Sequence, residues 1–398
     1  MRIAFVATSV PRRCGIATFT GELKEALRGA DPSLRIMHAA IDEPNAARAY
    51  DAEVRWRIRQ HDPQSYRAAA AAINVSGAEL VNLQHEFGLY GNWRPDRFED
   101  DLPPFLDELR LPLVTTLHSL PPEPNESARE AIRVLAERSD AVVVMAETAA
   151  RLLSSRYGVE RAPVVIPHGM PAIQPAGRRR LKRSLGIEGS FVISTFGLVD
   201  PRKGLEYMIE AMPAIVARHP KTIYLVVGQT HPVLQRSAGE AYRNELAAHV
   251  DRLGMSRHVG FVNQYLTQRE IVHYLLASDV YTTPYLDPNQ ITSGTLAYAL
   301  GAGKAIVSTR YLHAAEALGD GRGILLDFRS SEQLAKGVIA ILDDPALKAR
   351  LEQRAYAYGK ESAWPAVGRK TLDLMRQVLE RARTGDLRAA GHTPAASA

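Results

Sequence analysis

Several positions in the 398-residue chain bring together residue types that suit a bound anion. Gly197-Leu198-Val199-Asp200-Pro201-Arg202-Lys203-Gly204 is a glycine-bounded loop between an apolar run and a helical one. An ammonium at such a junction adds its charge to bare helix N–H groups, so Lys203 suits a phosphate, although a surface lysine has the same local pattern. Ser293-Gly294-Thr295 opens a second helical run after a series of turn formers. Free N–H groups and the positive end of a helix dipole suit a phosphate there as well, and an ordinary helix cap is the competing reading. His118 ends the apolar run Leu113 to Leu117, just before Ser119-Leu120-Pro121-Pro122. In a doubly wound sheet that position faces a crevice, while a core or turn-stabilising histidine is the alternative. The loop from Arg12 to Phe19 holds one glycine, Gly15, and so is no dinucleotide fingerprint. His85-Glu86 opens like a zinc-protease helix, but the position three after Glu86 is Leu89 and no metal is expected.

These residues sit at the ends of short apolar runs that alternate with helical ones. Ile3 to Thr8, Leu34 to Ala40, Leu80 to Leu83, Leu113 to Leu117, Ala141 to Met145 and Val164 to Ile166 read as strands. Helices are expected over Thr20 to Leu27, Asn125 to Arg138 and Glu147 to Tyr157, the last closed by Gly158. From Pro167 to Arg180 the chain is rich in proline, glycine and basic residues, which marks a domain boundary. The alternation then restarts with strands at Phe191 to Phe196, Tyr224 to Val227, Val259 to Val262, Val280 to Thr283 and Ala305 to Ser308. Helices intervene at Leu205 to Ala217, Arg269 to Ala277 and from Ser293 to Gly301. The unit from Val280 to Ser308 is a βαβ element, whose ligand is expected beyond the carboxyl end of the first strand. Helices at Ser331 to Leu342, Pro345 to Tyr358 and from Trp364 to about Arg383 close the pattern, and the small polar tail reads as disordered.

The length favours two domains, and a 46% apolar, 7% aromatic composition is that of a globular protein. No run of about 18 apolar residues could span a membrane. The start, Met1-Arg2 leading into Ile3, reads as a first strand rather than a signal peptide, and the single cysteine, Cys14, fits a reducing compartment, so a cytoplasmic protein is expected. A net charge of +5 includes the cluster Arg178-Arg179-Arg180 with Lys182-Arg183, which reads as a solvated face or as a draw for phosphorylated substrates or an anionic membrane surface. Aromatic residues are not interleaved with it, and nucleic acid is not expected.

Taken together, Lys203-Gly204, Pro167-His168-Gly169 and the stretch from Pro284 to Val307 resemble family 4 (group 1) glycosyltransferases of the GT-B fold. The resemblance covers nearly the whole chain. It implies two Rossmann-like α/β domains facing each other across a cleft: an acceptor-side domain over 1–172 and a donor-binding domain over 173–360. A helix over 361–384 would return to the first domain, and 385–398 would be a tail. It also implies a retaining transferase that takes a sugar from a nucleoside-diphosphate sugar without a metal or other cofactor and passes it to a saccharide or lipid-linked acceptor.

Carried over residue by residue, the resemblance makes Lys203 the pyrophosphate-binding lysine and gives the backbone of Ser293, Gly294 and Thr295 the same diphosphate. His118 would lie by the donor sugar, and Gly15 in a loop approaching the donor phosphate and acceptor. This sequence departs from the family where two glutamates eight positions apart are usual, since Gln290 and Tyr298 stand there. Gln290 retains hydrogen-bonding capacity toward the donor sugar, whereas Tyr298 cannot make a bidentate ribose contact. The usual arginine after the first glycine of the lysine loop is Leu198, leaving Arg202 as its nearest substitute. Around these positions lie Gln229, Thr230, His231, Glu240, Tyr242, Arg243, Asn289, Thr292 and His313, read as a branch with altered donor recognition; His231 is a further candidate contact. A retaining glycoside phosphorylase and a non-catalytic sugar-phosphate binder on the same fold are the competing readings.

Overall fold

The computed structural model describes residues 1–385, which divide into two compact units: Met1–Gly169 with the segment from Trp364, and Met170–Ala363. The tail predicted at 385–398 lies outside the described residues, apart from Gly385.

The first unit runs β1 (Arg2–Ala7), α1 (Gly15–Ala30), β2 (Arg35–Asp42), β3 (Val54–Arg59), α2 (Pro63–Asn74), β4 (Leu80–His85), α3 (Phe87–Tyr90), β5 (Gly91–Trp93), β6 (Phe98–Asp100), α4 (Pro103–Glu108), β7 (Leu113–Leu117), α5 (Glu126–Arg138), β8 (Ala141–Val144), α6 (Glu147–Tyr157) and β9 (Val164–Val165). Seven of these strands form a parallel sheet in the order β3-β2-β1-β4-β7-β8-β9, while β5 and β6 pair as a separate antiparallel ribbon. Helices cover both faces of such a sheet, which is why Ile3 to Ala7 is an unbroken apolar run that is fully buried.

The second unit runs α7 (Arg178–Ser184), β10 (Phe191–Phe196), a 3-10 turn (Pro201–Lys203), α8 (Leu205–Arg218), β11 (Thr222–Val227), α9 (Pro232–Ala238), α10 (Ala241–Arg252), β12 (Val259–Val262), α11 (Gln268–Ala277), β13 (Val280–Thr283), α12 (Gly294–Gly301), β14 (Ala305–Thr309), α13 (Leu312–Ala317), β15 (Ile324–Leu326), α14 (Ser331–Asp343) and α15 (Pro345–Lys360). Its parallel sheet has the order β12-β11-β10-β13-β14-β15. The chain winds outward from β10 through β11 to β12 and then crosses back to β13. The strand order therefore reverses between β10 and β13, and a crevice opens at their carboxyl ends. The first sheet reverses in the same way between β1 and β4.

The closing helix α16 (Trp364–Thr384) belongs to the first unit and packs along α1. A Cβ at Gly368 would lie 2.6 Å from the Ala26 carbonyl oxygen, so the glycine is what lets the two backbones meet. Val367, Met375 and Val378 join the core of the unit, and Trp364 Nε1 donates to Glu22 Oε2 at 2.9 Å. Two parallel α/β sheets and a last helix that returns to the first unit are the elements that the sequence implied. Among the described residues no helix is long and apolar enough to cross a membrane.

Candidate functional site

In the second unit, the crevice end of β10 carries the lysine turn. Asp200 caps it, its side chain accepting from Arg202 N at 2.8 Å, and Gly204 closes it in the left-handed region at φ 58°. A Cβ on Gly204 would stand 2.2 Å from the Pro284 carbonyl oxygen, so this close approach of the turn to the end of β13 requires glycine. Leu286 N donates to Arg202 O at 2.8 Å and ties the loop after β13 to the same turn.

Lys203 ends with its Nζ 3.7 Å from the centre of the Tyr285 ring. The hydroxyl of that ring lies 2.7 Å from Thr295 Oγ1, which in turn is 3.1 Å from Ser293 Oγ. Tyr285 thus joins the lysine turn to the start of α12. The tyrosine is itself buried and stacks on Tyr311 at 5.4 Å. Burial lowers the Lys203 pKa to about 8, with Arg202 adding to the effect and the Asp200 carboxylate opposing it.

At the start of α12, Ser293 is the N-cap, its Oγ accepting from Leu296 N at 3.3 Å. The Ser293 N–H, assigned from sequence to an anion, is donated instead to His313 Nδ1 at 2.8 Å. His313 N also donates to Gln290 O at 3.0 Å, so one histidine braces both ends of the loop. The N–H groups of Gly294 and Thr295 carry no hydrogen bond among the described residues and, lying in the first turn of α12, remain open to a ligand. Gly197 brings the end of β10 against the same turn, since a Cβ there would be 3.4 Å from Thr295 Cγ2.

The other candidates of this unit are arranged around that centre. Arg202 grips Asp200 through Nε at 2.9 Å and Nη2 at 2.8 Å, so its guanidinium is already paired. His231 follows β11, and burial with the charges of Arg202 and Lys203 lowers its pKa against the pull of Asp200. Gln290 donates from Nε2 to Thr292 O at 2.9 Å. Tyr298 is nearly buried, and its hydroxyl accepts from Gln268 Nε2 at 3.2 Å. Arg243, Thr230 and Glu240 form a linked group at the end of β11, in which Arg243 Nη2 donates to Gly228 O at 2.7 Å.

His118 and Gly15 belong to the first unit. His118 Nε2 lies 2.7 Å from Gln84 Oε1, and the Gln84 amide is oriented by its own donation to Asn82 Oδ1 at 2.5 Å. Nε2 is therefore the protonated nitrogen, leaving Nδ1 as an acceptor. Burial holds the ring neutral, with a pKa of about 3, and Phe19 packs edge-on at 4.7 Å. Gly15 is the exposed first residue of α1, with open space where a Cβ would be. Among the described residues no cluster of three or more His, Cys, Asp or Glu is placed to hold a metal.

Residues 177–358 match the family of glycosyl transferases group 1. A relative from Corynebacterium glutamicum, a GDP-mannose-dependent monoacylated alpha-(1-6)-phosphatidylinositol monomannoside mannosyltransferase, is 22% identical over 92% of this chain and 95% of its own. The structure of Anabaena HepE in complex with UDP superposes with a TM-score of 0.73 at 18% identity, over 95% of this chain and all of that one. Sucrose-phosphate synthase from Thermosynechococcus elongatus gives 0.75 at 18% identity, over 96% and 99%. The match to glycosyl transferases group 1 thus takes in nearly the whole of the second unit, and the superpositions show the GT-B fold.

Proposed function

We propose that this protein is a retaining glycosyltransferase that moves a sugar from a nucleoside-diphosphate sugar to a saccharide or lipid-linked acceptor. The observation that carries the reading is the convergence, through Tyr285, of the Lys203 ammonium with the open N–H groups of Gly294 and Thr295. A leaving diphosphate gains negative charge as its bond to the sugar breaks, and a fixed cation with two fixed dipoles stabilises that charge without reorganising. As the bond from C1 to the phosphate oxygen breaks, the acceptor oxygen bonds to C1 on the same face, and its proton passes to the departing oxygen. The chain's own cations do the work that a divalent metal does elsewhere. In the first unit His118, neutral and with Nδ1 open, suits a sugar hydroxyl, and in the second Gln290 replaces a carboxylate with a side chain able to donate as well as accept. The donor named for the Corynebacterium relative, and the UDP-glucose named in another HepE complex, are of the class proposed. That relative's name also gives a lipid-linked acceptor.

The test is to incubate the full chain with GDP-mannose or UDP-glucose and mannosylated phosphatidylinositol or free sugar acceptors, and to read the new linkage by NMR. An α-linked product whose formation is unaffected by EDTA is expected. A β-linked product would overturn retention, and sugar release that requires inorganic phosphate would identify a phosphorylase.

A further inference from the structure

A second cavity of the unit that holds Lys203, about 420 Å³, lies at the amino-terminal end of its strands. Its lining includes Pro175, Arg178, Leu276, Lys304, Glu352 and Tyr356. Lys304 immediately precedes β14, and its Nζ donates at 2.9 Å to the carbonyl of Ser278, just before β13. The cavity is therefore at the amino ends of these strands, whereas the Lys203 crevice is at the carboxyl ends. The eight residues of α12, a length of about 12 Å, separate Ser293 from this end of the unit.

The charges around the cavity do not balance. Asp279 accepts from Lys182 Nζ at 2.5 Å and lies 3.7 Å from Arg178 Nη1 and 4.0 Å from Lys348 Nζ. Glu352 accepts from Arg178 Nη2 at 2.6 Å and from Lys348 Nζ at 2.7 Å. Two carboxylates thus serve Arg178, Lys182 and Lys348, while Lys304 has no carboxylate within ion-pair distance among the described residues. Lys304 is 1% exposed, burial pushes its pKa well below the usual lysine range, and as a free amine it holds one donor beyond the one it gives to the Ser278 carbonyl. Arg178 Nε is also buried without a partner. Unmatched buried donors, and three cations against two carboxylates, are costly, and a bound dianion that draws a proton onto Lys304 offsets both.

The geometry points to a second anion site here, for a phosphate group held by Lys304 and Arg178, carried either by inorganic phosphate or by a small phosphorylated sugar. A phosphate monoester brings close to two negative charges and three acceptor oxygens at neutral pH. Leu276, Pro175 and Tyr356 give the cavity the apolar surface that the body of a sugar covers.

The experiment titrates the full chain carrying Lys203→Ala, which disables the other anion site, with inorganic phosphate and separately with a hexose 6-phosphate, reading binding by calorimetry. One saturable site is expected, weakened at least about tenfold by adding either Lys304→Met or Arg178→Gln, as loss of a charged hydrogen bond implies. Tighter binding of the hexose ester would identify a sugar phosphate as the occupant, and equal or tighter binding of phosphate the free ion. Melting curves establish that each variant is folded. Should Lys304→Met not fold, Arg178→Gln decides, since its side chain is 35% exposed. No saturable binding of either probe to folded Lys203→Ala protein, or binding unchanged in both added variants, would overturn the site.

Discussion

Lys203 carries its charge in surroundings that make the charge costly, and this gives the proposed donor site a pH signature. Burial lowers its pKa to about 8 in the free protein, and a bound diphosphate stabilises the charged form and raises it again. Below pH 8 the ammonium is already present and affinity is flat; above it the ligand must first restore the proton. The dissociation constant for a nucleoside diphosphate should rise up to about tenfold per unit above pH 8, and Lys203→Arg should flatten the profile because arginine stays charged. Calorimetry at pH 7 and pH 9 reads this directly, and a flat wild-type profile would contradict it. The place of Lys203 at a loop-to-helix junction was legible in the sequence because glycines bound its loop and a helix follows. Tyr285 was not, for it is one residue of an apolar and turn-rich stretch, and only the fold sets its ring under Lys203 and its hydroxyl against Thr295. His313 stood among the polar neighbours, but its brace on Ser293 joins residues twenty apart and has no local signal.

At the scale of elements, the lysine turn and the start of α12 are held by close backbone approaches. Gly204→Ala would put a Cβ against the Pro284 carbonyl and an L-residue in the left-handed region, the latter alone costing roughly 1–2 kcal/mol. We expect a lower melting temperature together with weaker diphosphate binding, since the turn must move away from β13. A Gly204→Ala protein with wild-type melting and affinity would show that this approach does not shape the site. The strands and helices flanking the site were legible because apolar β-rich runs stop at proline or glycine. The start of α1 was not: it begins at Gly15 rather than Thr20, capped by the Cys14 thiol accepting from Ala17 N, a residue type that announces no helix start. Edge strand β3 carries the alternation of a half-buried strand, Val54, Trp56 and Ile58 against arginines, but only its pairing with β2 shows that it joins this sheet. In α10 the apolar positions are too sparse to mark one face.

For the whole molecule, the first unit buries histidines that must remain neutral. Burial brings His38, His85 and His118 to about 3 and His168 to about 4. In the unfolded chain each titrates near 6.5. Between these values the unfolded state binds more protons, so stability is fully present above about pH 6.5 and is lost as the pH falls toward 4. A melting temperature that drops continuously over that window is expected, and one that stays level from pH 6.5 to 5 would contradict the burial of these rings. The repetition of α/β alternation after the Pro167 to Arg180 stretch made the architecture legible. The cluster around Lys304 was not, because Arg178, Asp279, Lys348 and Glu352 come together only in the folded unit. The most direct test of the central claim is thermal melting of wild type and Lys203→Ala with UDP, GDP and ADP. One nucleotide is expected to stabilise the wild type, by about 2.7 kcal/mol at one hundred times its dissociation constant, and Lys203→Ala to lose most of that gain. Stabilisation by none of them, or an equal gain in the folded variant, would contradict a donor site built on Lys203.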